Sequence, residues 1–151
     1  MGGDRPFSVR QQFADQWYDL TNGVPSAVRF RIERGDFPAN LSELTIRNVV
    51  LYFVRRPGER FEIPVDGLRF SEAGSSGAVG GPAQSLNALI DARQGNAASW
   101  TGMIGRSPIG TWELALPHTD EITGRFQRGE LEDILLVISY EGRLPAWPEK
   151  A

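Results

Sequence analysis

The amino-acid sequence predicts an all-β protein, an antiparallel β-sandwich (jelly-roll-like) of about eight strands with one or two short helices. Glycine (17 residues) and proline (10 residues) are numerous, and they separate short β-type runs. Several of these runs alternate apolar and polar residues, which is the period of a strand with one buried face. This combination is typical of a sandwich or barrel rather than of an α/β or helical protein.

The length of 151 residues predicts a single domain, 1–151, that can bury a core without disulfides. No internal repeat and no linker divides the chain. We assign residues 7–143 to the core module and 144–151 to an extended tail, because Pro145 and Pro148 exclude a helix or a central strand there.

The first elements are predicted to be a short edge strand, residues 7–9, and a helix, residues 11–20. Phe13, Trp17 and Leu20 fall on one side of this helix, at the spacing of a packing face. We therefore expect the helix to close one end of the sandwich.

Two strands follow, and each is expected to have one buried face. Residues 27–33 alternate, so Arg29 and Arg31 project outward from a half-exposed strand. Residues 44–55 form the longest predicted strand, but their apolar positions change parity halfway along. A β-bulge at Arg47–Asn48 would return both apolar sets to one face.

The middle of the chain is rich in turn signals. Residues 55–60 predict a turn centred on Pro57–Gly58. Residues 61–65 predict a short strand, which Pro64 places at a sheet edge because proline cannot donate to a β-ladder. Asp66–Gly67 predicts the next turn.

Three further segments lead to the C-terminal part. Residues 71–82 have the glycine and serine content of a flexible loop, and no Gly-Lys-Ser/Thr follows that would indicate a phosphate cradle. Residues 83–93 fit either a helix or a strand, and their place between β elements favours a strand. Residues 99–104 predict another strand.

The C-terminal part predicts strand, short helix and strand. Residues 111–116 alternate, with Trp112 on the buried parity. Thr119 is placed to cap a helix that has acids in its first turn and two apolar residues four apart. Residues 131–140 are apolar on both parities, which predicts a central strand covered on both faces.

The sequence contains no recognisable catalytic set, so we predict no enzymatic activity, no cofactor and no metal. Cysteine is absent, which excludes a thiol nucleophile and a thiolate metal site. The single histidine, His118, has no partner motif of a metal site or of a Gly-x-Ser-x-Gly hydrolase. Acids close together in sequence either start the short helix or sit side by side on a strand, where neighbours point to opposite faces.

Charge and hydropathy argue against several other functions. The net charge is −3 with both signs mixed along the chain, and no basic stripe indicates nucleic-acid binding. The longest apolar run is about a third of a membrane span, which predicts no transmembrane segment. The N-terminus lacks the apolar stretch of a secretory signal peptide.

Binding is therefore the expected function, and two groups of side chains are candidates for the binding surface. Trp100 and Trp147 could stack on sugar rings, as in a carbohydrate-binding module, whereas parity places Trp112 in the core. Exposed arginines could instead serve a protein interface, where arginine is enriched. These are Arg29, Arg31, Arg55 and Arg56.

A series of motifs carries a family resemblance. A Gly-x-Trp-x-Leu-x-Leu strand is followed by a Leu-Glu-Asp-Ile-Leu-Leu strand that ends in Tyr140, and a helix entry and a Phe-Pro turn lie upstream. The motifs occupy residues 13–18, 36–40, 95–100, 108–117 and 131–140. Together they resemble the C-terminal region of the A subunits of insecticidal Tc toxins, over most of the chain.

The resemblance implies a β-sandwich that joins a Tc toxin A subunit, or a related neuraminidase-like toxin component, to a partner of B/C type without chemistry of its own. It also implies a larger, secreted or toxin-complex-associated parent protein that is cytoplasmic before release. The tail around Trp147 lies outside the family pattern. The alternative is a carbohydrate-binding sandwich.

Overall fold

The computed structural model describes residues 1–22, 27–75, 77–93 and 95–145. Within them, eight β-strands form two antiparallel sheets, sheet A and sheet B, of four strands each. The strands are β1 (Gly2–Ser8), β2 (Val28–Ile32), β3 (Ser42–Arg55), β4 (Pro64–Glu72), β5 (Val79–Gln84), β6 (Leu89–Asp91), β7 (Gly110–Ala115) and β8 (Leu131–Arg143). The helices are α1 (Val9–Gln12), α2 (Ala14–Thr21) and α3 (Asp120–Gln127), with 3₁₀ segments at Arg34–Asp36 and Ala98–Met103. The predicted all-β sandwich is confirmed.

The strand order identifies the topology. Sheet A runs β1-β8-β3-β6 and sheet B runs β2-β7-β4-β5. β1 pairs with β8, β2 with β7, β3 with β6 and β4 with β5, so the chain is one long nested hairpin wrapped into two sheets. This pairing is that of a jelly roll.

The core lies between the two sheets. The inner row of sheet A consists of Phe7, Leu136, Leu51 and Ile90, each at most 2 % exposed. In sheet B the rings of Trp112 and Phe70 stack with their centroids 4.3 Å apart. The buried indole N–H of Trp112 donates to the carbonyl of Pro108 at 3.1 Å, which satisfies a polar atom that burial would otherwise leave unpaired.

The bulge predicted in the long strand is present in β3. The pairing of β3 with β8 shifts register between Ile46 and Asn48. The apolar residues on both sides of the shift are all buried, namely Leu44, Ile46, Val49, Leu51 and Phe53. One extra residue thus keeps a single core face along the strand although the parity of the sequence changes.

The helices pack together at one end of the sandwich. Thr119 accepts a hydrogen bond from the N–H of Ile122 at 3.2 Å and caps α3 as predicted. Ile122 and Phe126 of α3 are buried. The ring of Trp17 in α2 meets the ring of Phe126 edge-on, with centroids 5.1 Å apart. Trp17 is therefore a packing residue.

Several predicted elements differ in their bounds or type. The helix predicted at 11–20 is interrupted at Phe13, whose ring stacks on Phe30 with centroids 4.5 Å apart. Residues 99–104 are not a strand, because most of them belong to the 3₁₀ segment. Residues 83–93 are not one strand but the end of β5, a tight turn and β6.

The expectation of an edge strand at Pro64 is wrong. Pro64 is the first residue of β4, which lies between β7 and β5. A proline is tolerated at the first residue of a strand, where its missing N–H costs the ladder least. Asp66–Gly67 is likewise no turn: it lies inside β4, where the pairing with β5 shifts register between Val65 and Leu68.

β8 is a central strand, as predicted, but only one of its faces is covered. Its inner residues Ile134, Leu136 and Ile138 are buried against sheet B. The intervening Leu135 and Val137 are only half-buried, on the outer face of sheet A. The expectation that both faces are covered is therefore wrong for the described residues.

Candidate docking surface

At Arg29, the free edge of β2 is occupied by a side chain that bonds as a neighbouring strand would. Gln16 of α2 accepts a hydrogen bond from the N–H of Arg29 at 2.5 Å and donates to its carbonyl at 3.0 Å. Backbone groups occupied in this way cannot pair with an incoming strand.

The free edge of β5 is covered by the 3₁₀ segment Ala98–Met103. The indole N–H of Trp100 donates to the carbonyl of Gly81 at 2.8 Å, and the hydroxyl of Ser99 donates to the carbonyl of Pro82 at 2.8 Å. The covered backbone groups are thus acceptors of β5 that another strand would need.

The remaining two edges are also protected. Asn96 accepts from the N–H of Asp91 at 3.1 Å and donates to the carbonyl of Leu89 at 2.9 Å, which closes β6. On β1, Pro6 has no N–H, and its carbonyl accepts from the guanidinium of Arg5 at 2.5 Å. A partner is therefore expected to bind an outer sheet face rather than to add a strand.

The outer face of sheet B is polar. Arg29 of β2, Glu113 of β7 and Arg69 of β4 lie side by side across the strands. Arg29 forms an ion pair with Glu113, and Arg31 is exposed one step further along β2. A surface depression of about 240 Å³ lies among these side chains. This is the solvated face expected of an antiparallel sheet with one side in water.

The outer face of sheet A has an apolar centre. One row across its strands consists of Ser8, Leu135, Tyr52 and Leu89, and Leu86 continues it through its bridge to Leu89. The next row consists of Pro6, Val137, Val50 and Asp91. Tyr52 is 40 % exposed and Leu86 is 67 % exposed.

We call six of these side chains the outer-sheet patch: Val50, Tyr52, Leu86, Leu89, Leu135 and Val137. They come from β8, β3 and β6 and from the turn before β6, so they are far apart in sequence and adjacent in space. An exposed apolar group on four adjacent segments is a feature of interaction surfaces more than of solvated sheet faces.

The turn that carries Leu86 is rigidly held. Asn87 and Ala88 have φ of 52° and 66°, the left-handed region that side chains disfavour. The carboxylate of Glu62 accepts hydrogen bonds from the N–H groups of both residues, each at 3.0 Å, and from the hydroxyl of Ser85 at 2.6 Å. These bonds offset the backbone strain and fix the position of Leu86.

Two opposing effects set the pKa of Glu62. Burial of the carboxyl disfavours its charged form and would raise the pKa. The hydrogen bonds from Ser85, Ala88 and Asn87 and the charge of Arg55 favour the charged form, and together they lower the pKa below its ordinary value of 4.5. Glu62 is therefore an ionised clamp on the turn at neutral pH.

The two tryptophans predicted for a binding surface have different outcomes. Trp100 is 0 % exposed, with its indole N–H bonded to Gly81, so the prediction that it lies on the surface is wrong. Trp147 lies outside the described residues. The alternation of residues around Trp100 does not reveal that it is buried. Its burial depends on contact with β5, which lies earlier in the chain.

The four predicted arginines do not form one site. Arg29 and Arg31 are exposed on the outer face of sheet B, as the strand alternation predicts. Arg55 is half-buried and donates to the carbonyl of Phe61 at 2.9 Å. Arg56 donates to Glu59 at 2.9 Å, within the turn that follows β3. Arg55 and Arg56 thus hold local structure.

The described residues contain no metal-binding cluster of histidine and acidic side chains. His118 is exposed in the loop before α3. Among residues 1–22, 27–75, 77–93 and 95–145, no group of three or more histidines and acids is placed to hold a metal ion. No helix in this part of the chain is long and apolar enough to cross a membrane.

The outer-sheet patch was missed from the sequence, although a signal for it is present. The outward parity of β3 carries Val50 and Tyr52, and that of β8 carries Leu135 and Val137, where polar residues are expected on a solvated sheet. For residues 131–140 this signal predicts a strand covered on both faces, and the described residues do not supply the second cover.

Comparisons with known proteins show a likeness to a solved structure. No family model and no curated protein sequence matches the chain. A chain in a cryo-EM structure of Yersinia pseudotuberculosis TcaA-TcaB superposes on it with a TM-score of 0.58 and 15 % sequence identity. The match covers 95 % of this chain and 10 % of the Yersinia chain, so this chain spans about a tenth of that one. At this identity the likeness shows a shared fold, and the matched region is a small part of the Yersinia chain.

Proposed function

We propose that this chain is a non-enzymatic docking module that joins a Tc-toxin-like component to a partner subunit, through the outer-sheet patch. The observation that carries the proposal is that the outer face of sheet A has an exposed apolar centre, whereas the outer face of sheet B is polar and each sheet edge is occupied at one or more positions by other groups of the chain. Its parent would be a longer, toxin-complex-associated protein.

The composition of β8 supports a cover that comes from outside the described residues. A strand that is apolar on both parities is stable when both faces are buried. Sheet B buries one face, while Leu135 and Val137 remain half-buried on the other. A protein partner that binds the outer face of sheet A would bury Leu135 and Val137, so that both faces of β8 would be covered.

The energies are sufficient for a specific interface. Removing the exposed part of Leu86 from water would stabilise a complex by roughly 1–2 kcal/mol, and the ring of Tyr52 would contribute a similar amount. A few such anchors account for most of the free energy of a typical interface. The outer-sheet patch could therefore be the centre of a docking surface with polar residues around it.

The fold likeness supports the setting of this function. The Yersinia structure holds two named components, TcaA and TcaB, and the matched region is a minor part of one chain. A small sandwich without a cluster of reactive groups in its described residues fits a connecting role in such an assembly. Glycan binding is not proposed, because Trp100, one of its two predicted residues, is buried.

Isothermal titration calorimetry of the 151-residue chain with the B-type subunit of the same toxin complex tests the proposal. We expect saturable 1:1 binding with a negative heat-capacity change, since apolar surface is buried. Absence of binding at subunit concentrations up to about 100 μM, where contacts of this kind are still detectable, would contradict it.

A further inference from the structure

We propose that the partner surface for the outer-sheet patch has an apolar centre flanked by lysine or arginine, and that Leu86 is the anchor of the contact. This inference rests on the proposed docking function and specifies its partner by charge. It is carried by the charges that surround the patch and by the geometry of the turn that presents Leu86.

Three carboxylates project from sheet A on the same side as the patch. Asp4 lies on β1 opposite Ser139, Asp91 lies on β6 opposite Val50, and Asp133 starts the outward row of β8. In the described parts of the chain, none of the three has a cation within ion-pair distance. Each accepts hydrogen bonds only from uncharged groups: Asp4 from the hydroxyl of Ser139, Asp91 from the side chain of Asn48 and the backbone N–H of Arg93, and Asp133 from the hydroxyl of Ser8 and from backbone N–H groups. Their negative charges therefore lie beside an apolar surface without an ion-pair partner.

The cations near this face are already engaged or stand apart. Arg47, at the bulge of β3, is bound to Glu141 at 2.6 Å. The guanidinium of Arg10 donates to the carbonyl of Glu132 at 3.0 Å and lies 6.0 Å from the ring of Trp17. Arg93 is exposed and lines the same surface depression as Asp4, but it is not within ion-pair distance of Asp4 or Asp91. A basic partner would therefore supply the countercharge that the described chain does not.

The outer face of sheet B lacks such carboxylates without an ion-pair partner in its strand rows. It projects Arg29, Arg31 and Arg69 outward, and Glu113 pairs with Arg29 while Glu33 lies 3.8 Å from Arg31. A partner with cations around an apolar centre is therefore attracted to sheet A more than to sheet B, which favours one orientation. A second copy of this chain is disfavoured, because two patches with carboxylates at their rims would meet like charge.

Leu86 is the best placed anchor of the patch. It is the most exposed of the six side chains, and it stands at the end of the row that runs across sheet A. Because Glu62 fixes the turn, little conformational freedom remains to be lost when Leu86 is buried by a partner. A rigid, exposed leucine at the edge of an apolar surface can enter a pocket of the partner.

Two synthetic amphipathic peptides with the same apolar residues test the charge specificity. One has lysine and the other glutamate at the flanking positions. We expect the lysine peptide to bind and to shift the methyl NMR signals of Leu135, Val137 and Leu89. Its affinity should fall at least severalfold when salt rises from about 0.05 to 0.5 M, because exposed charges are then screened. The glutamate peptide should bind at least tenfold more weakly.

Three variants locate the contact. Leu86→Ser should weaken binding of the lysine peptide roughly tenfold, as expected for an anchor residue. Asp4→Asn, which keeps the acceptor for Ser139, should reduce the affinity and its salt dependence. Arg69→Gln on sheet B is the matched control and should change neither. Circular dichroism and thermal melting check that each variant is folded.

The inference is overturned if neither peptide binds, if both bind equally, if Leu86→Ser and Asp4→Asn bind like the unsubstituted chain, or if the shifted signals lie on sheet B. These outcomes are distinct from failure of the proposed function. If the lysine peptide binds at the patch but the B-type subunit does not, the assignment to a toxin complex fails and the chemistry of the surface stands.

Discussion

Glu62 and Glu130 are the two carboxylates whose ionisation is coupled most clearly to folding. Hydrogen bonds from Arg128 and Arg125 lower the pKa of Glu130, and the pKa of Glu62 is lowered despite the opposing effect of burial. A pKa that is lower in the folded than in the unfolded chain means that ionisation favours folding. The stability from these groups is present above pH 4.5, their ordinary value, and is lost as the pH falls through the folded pKa values.

Glu62→Gln should therefore destabilise the chain by about 1.5–3 kcal/mol at pH 7, the typical loss for hydrogen bonds to a charged group. The difference from the unsubstituted chain should shrink as the pH falls from 4.5 through the lower pKa of the folded chain, because Glu62 then becomes protonated in both states. Urea unfolding at pH 7 and at pH 3 measures both effects. Glu59→Gln, which removes the charge from an exposed ion pair with Arg56, is the control. If Glu62→Gln lowers the free energy of unfolding equally at both pH values, the ionised carboxylate of Glu62 does not stabilise the turn.

Trp100 combines burial with one hydrogen bond, and two substitutions separate these contributions. Trp100→Phe should cost about 1–3 kcal/mol, since the carbonyl of Gly81 loses its donor, whereas Trp100→Ala should cost about 3–5 kcal/mol through the cavity. Tyr18→Ala, at a side chain 68 % exposed, should stay within about 0.5 kcal/mol. Chemical denaturation measures all three. A fully stable Trp100→Ala would contradict the burial of this residue.

At the scale of the element, the bulge in β3 explains how apolar residues at both odd and even positions reach the same core. Leu44 and Ile46 are on one parity and Val49, Leu51 and Phe53 are on the other, yet all are buried. A strand without the extra residue would turn one of the two sets toward solvent. The bulge is thus a requirement of the core rather than a local irregularity.

Deletion of Arg47 should therefore be far more harmful than its substitution. The deletion removes the extra residue, exposes one apolar set and should abolish cooperative unfolding or lower stability by more than about 4 kcal/mol. Arg47→Ala loses only an exposed ion pair with Glu141 and should cost less than about 1 kcal/mol. Thermal melts of the two proteins decide between them; a folded deletion variant of ordinary stability would show that β3 can shift its register.

The elements also show what the sequence could reveal. Parity within one segment was enough to find the bulge, the alternating strands and the capped helix at Thr119. It was not enough for Pro64, because the sheet position of β4 depends on β5 and β7. It failed for residues 99–104 for the same reason: the 3₁₀ segment there is positioned by the bond from Trp100 to Gly81, a contact between distant parts of the chain.

At the scale of the whole molecule, the jelly-roll topology determines which surfaces remain available. Nested pairing places β1 and β8, the two ends of the chain, side by side in sheet A. Side chains such as Gln16 and Asn96 then close the sheet edges, and arginines make sheet B polar. The outer-sheet patch could not be predicted as a binding site from the sequence. Apolar residues on the outward side of a strand can be covered by another part of the same chain or by a partner, and the sequence pattern does not distinguish the two.

The most direct test of the central claim is a calorimetric titration of the B-type subunit with matched surface variants. Leu135→Thr combined with Val137→Thr makes the centre of the outer face polar and places β-branched threonine, which suits a strand, at both positions. We expect this double variant to lose at least about tenfold in affinity, equivalent to about 1.4 kcal/mol, while Arg69→Gln on sheet B binds like the unsubstituted chain. Undiminished binding by the double variant, or loss of binding by Arg69→Gln alone, would contradict docking through sheet A.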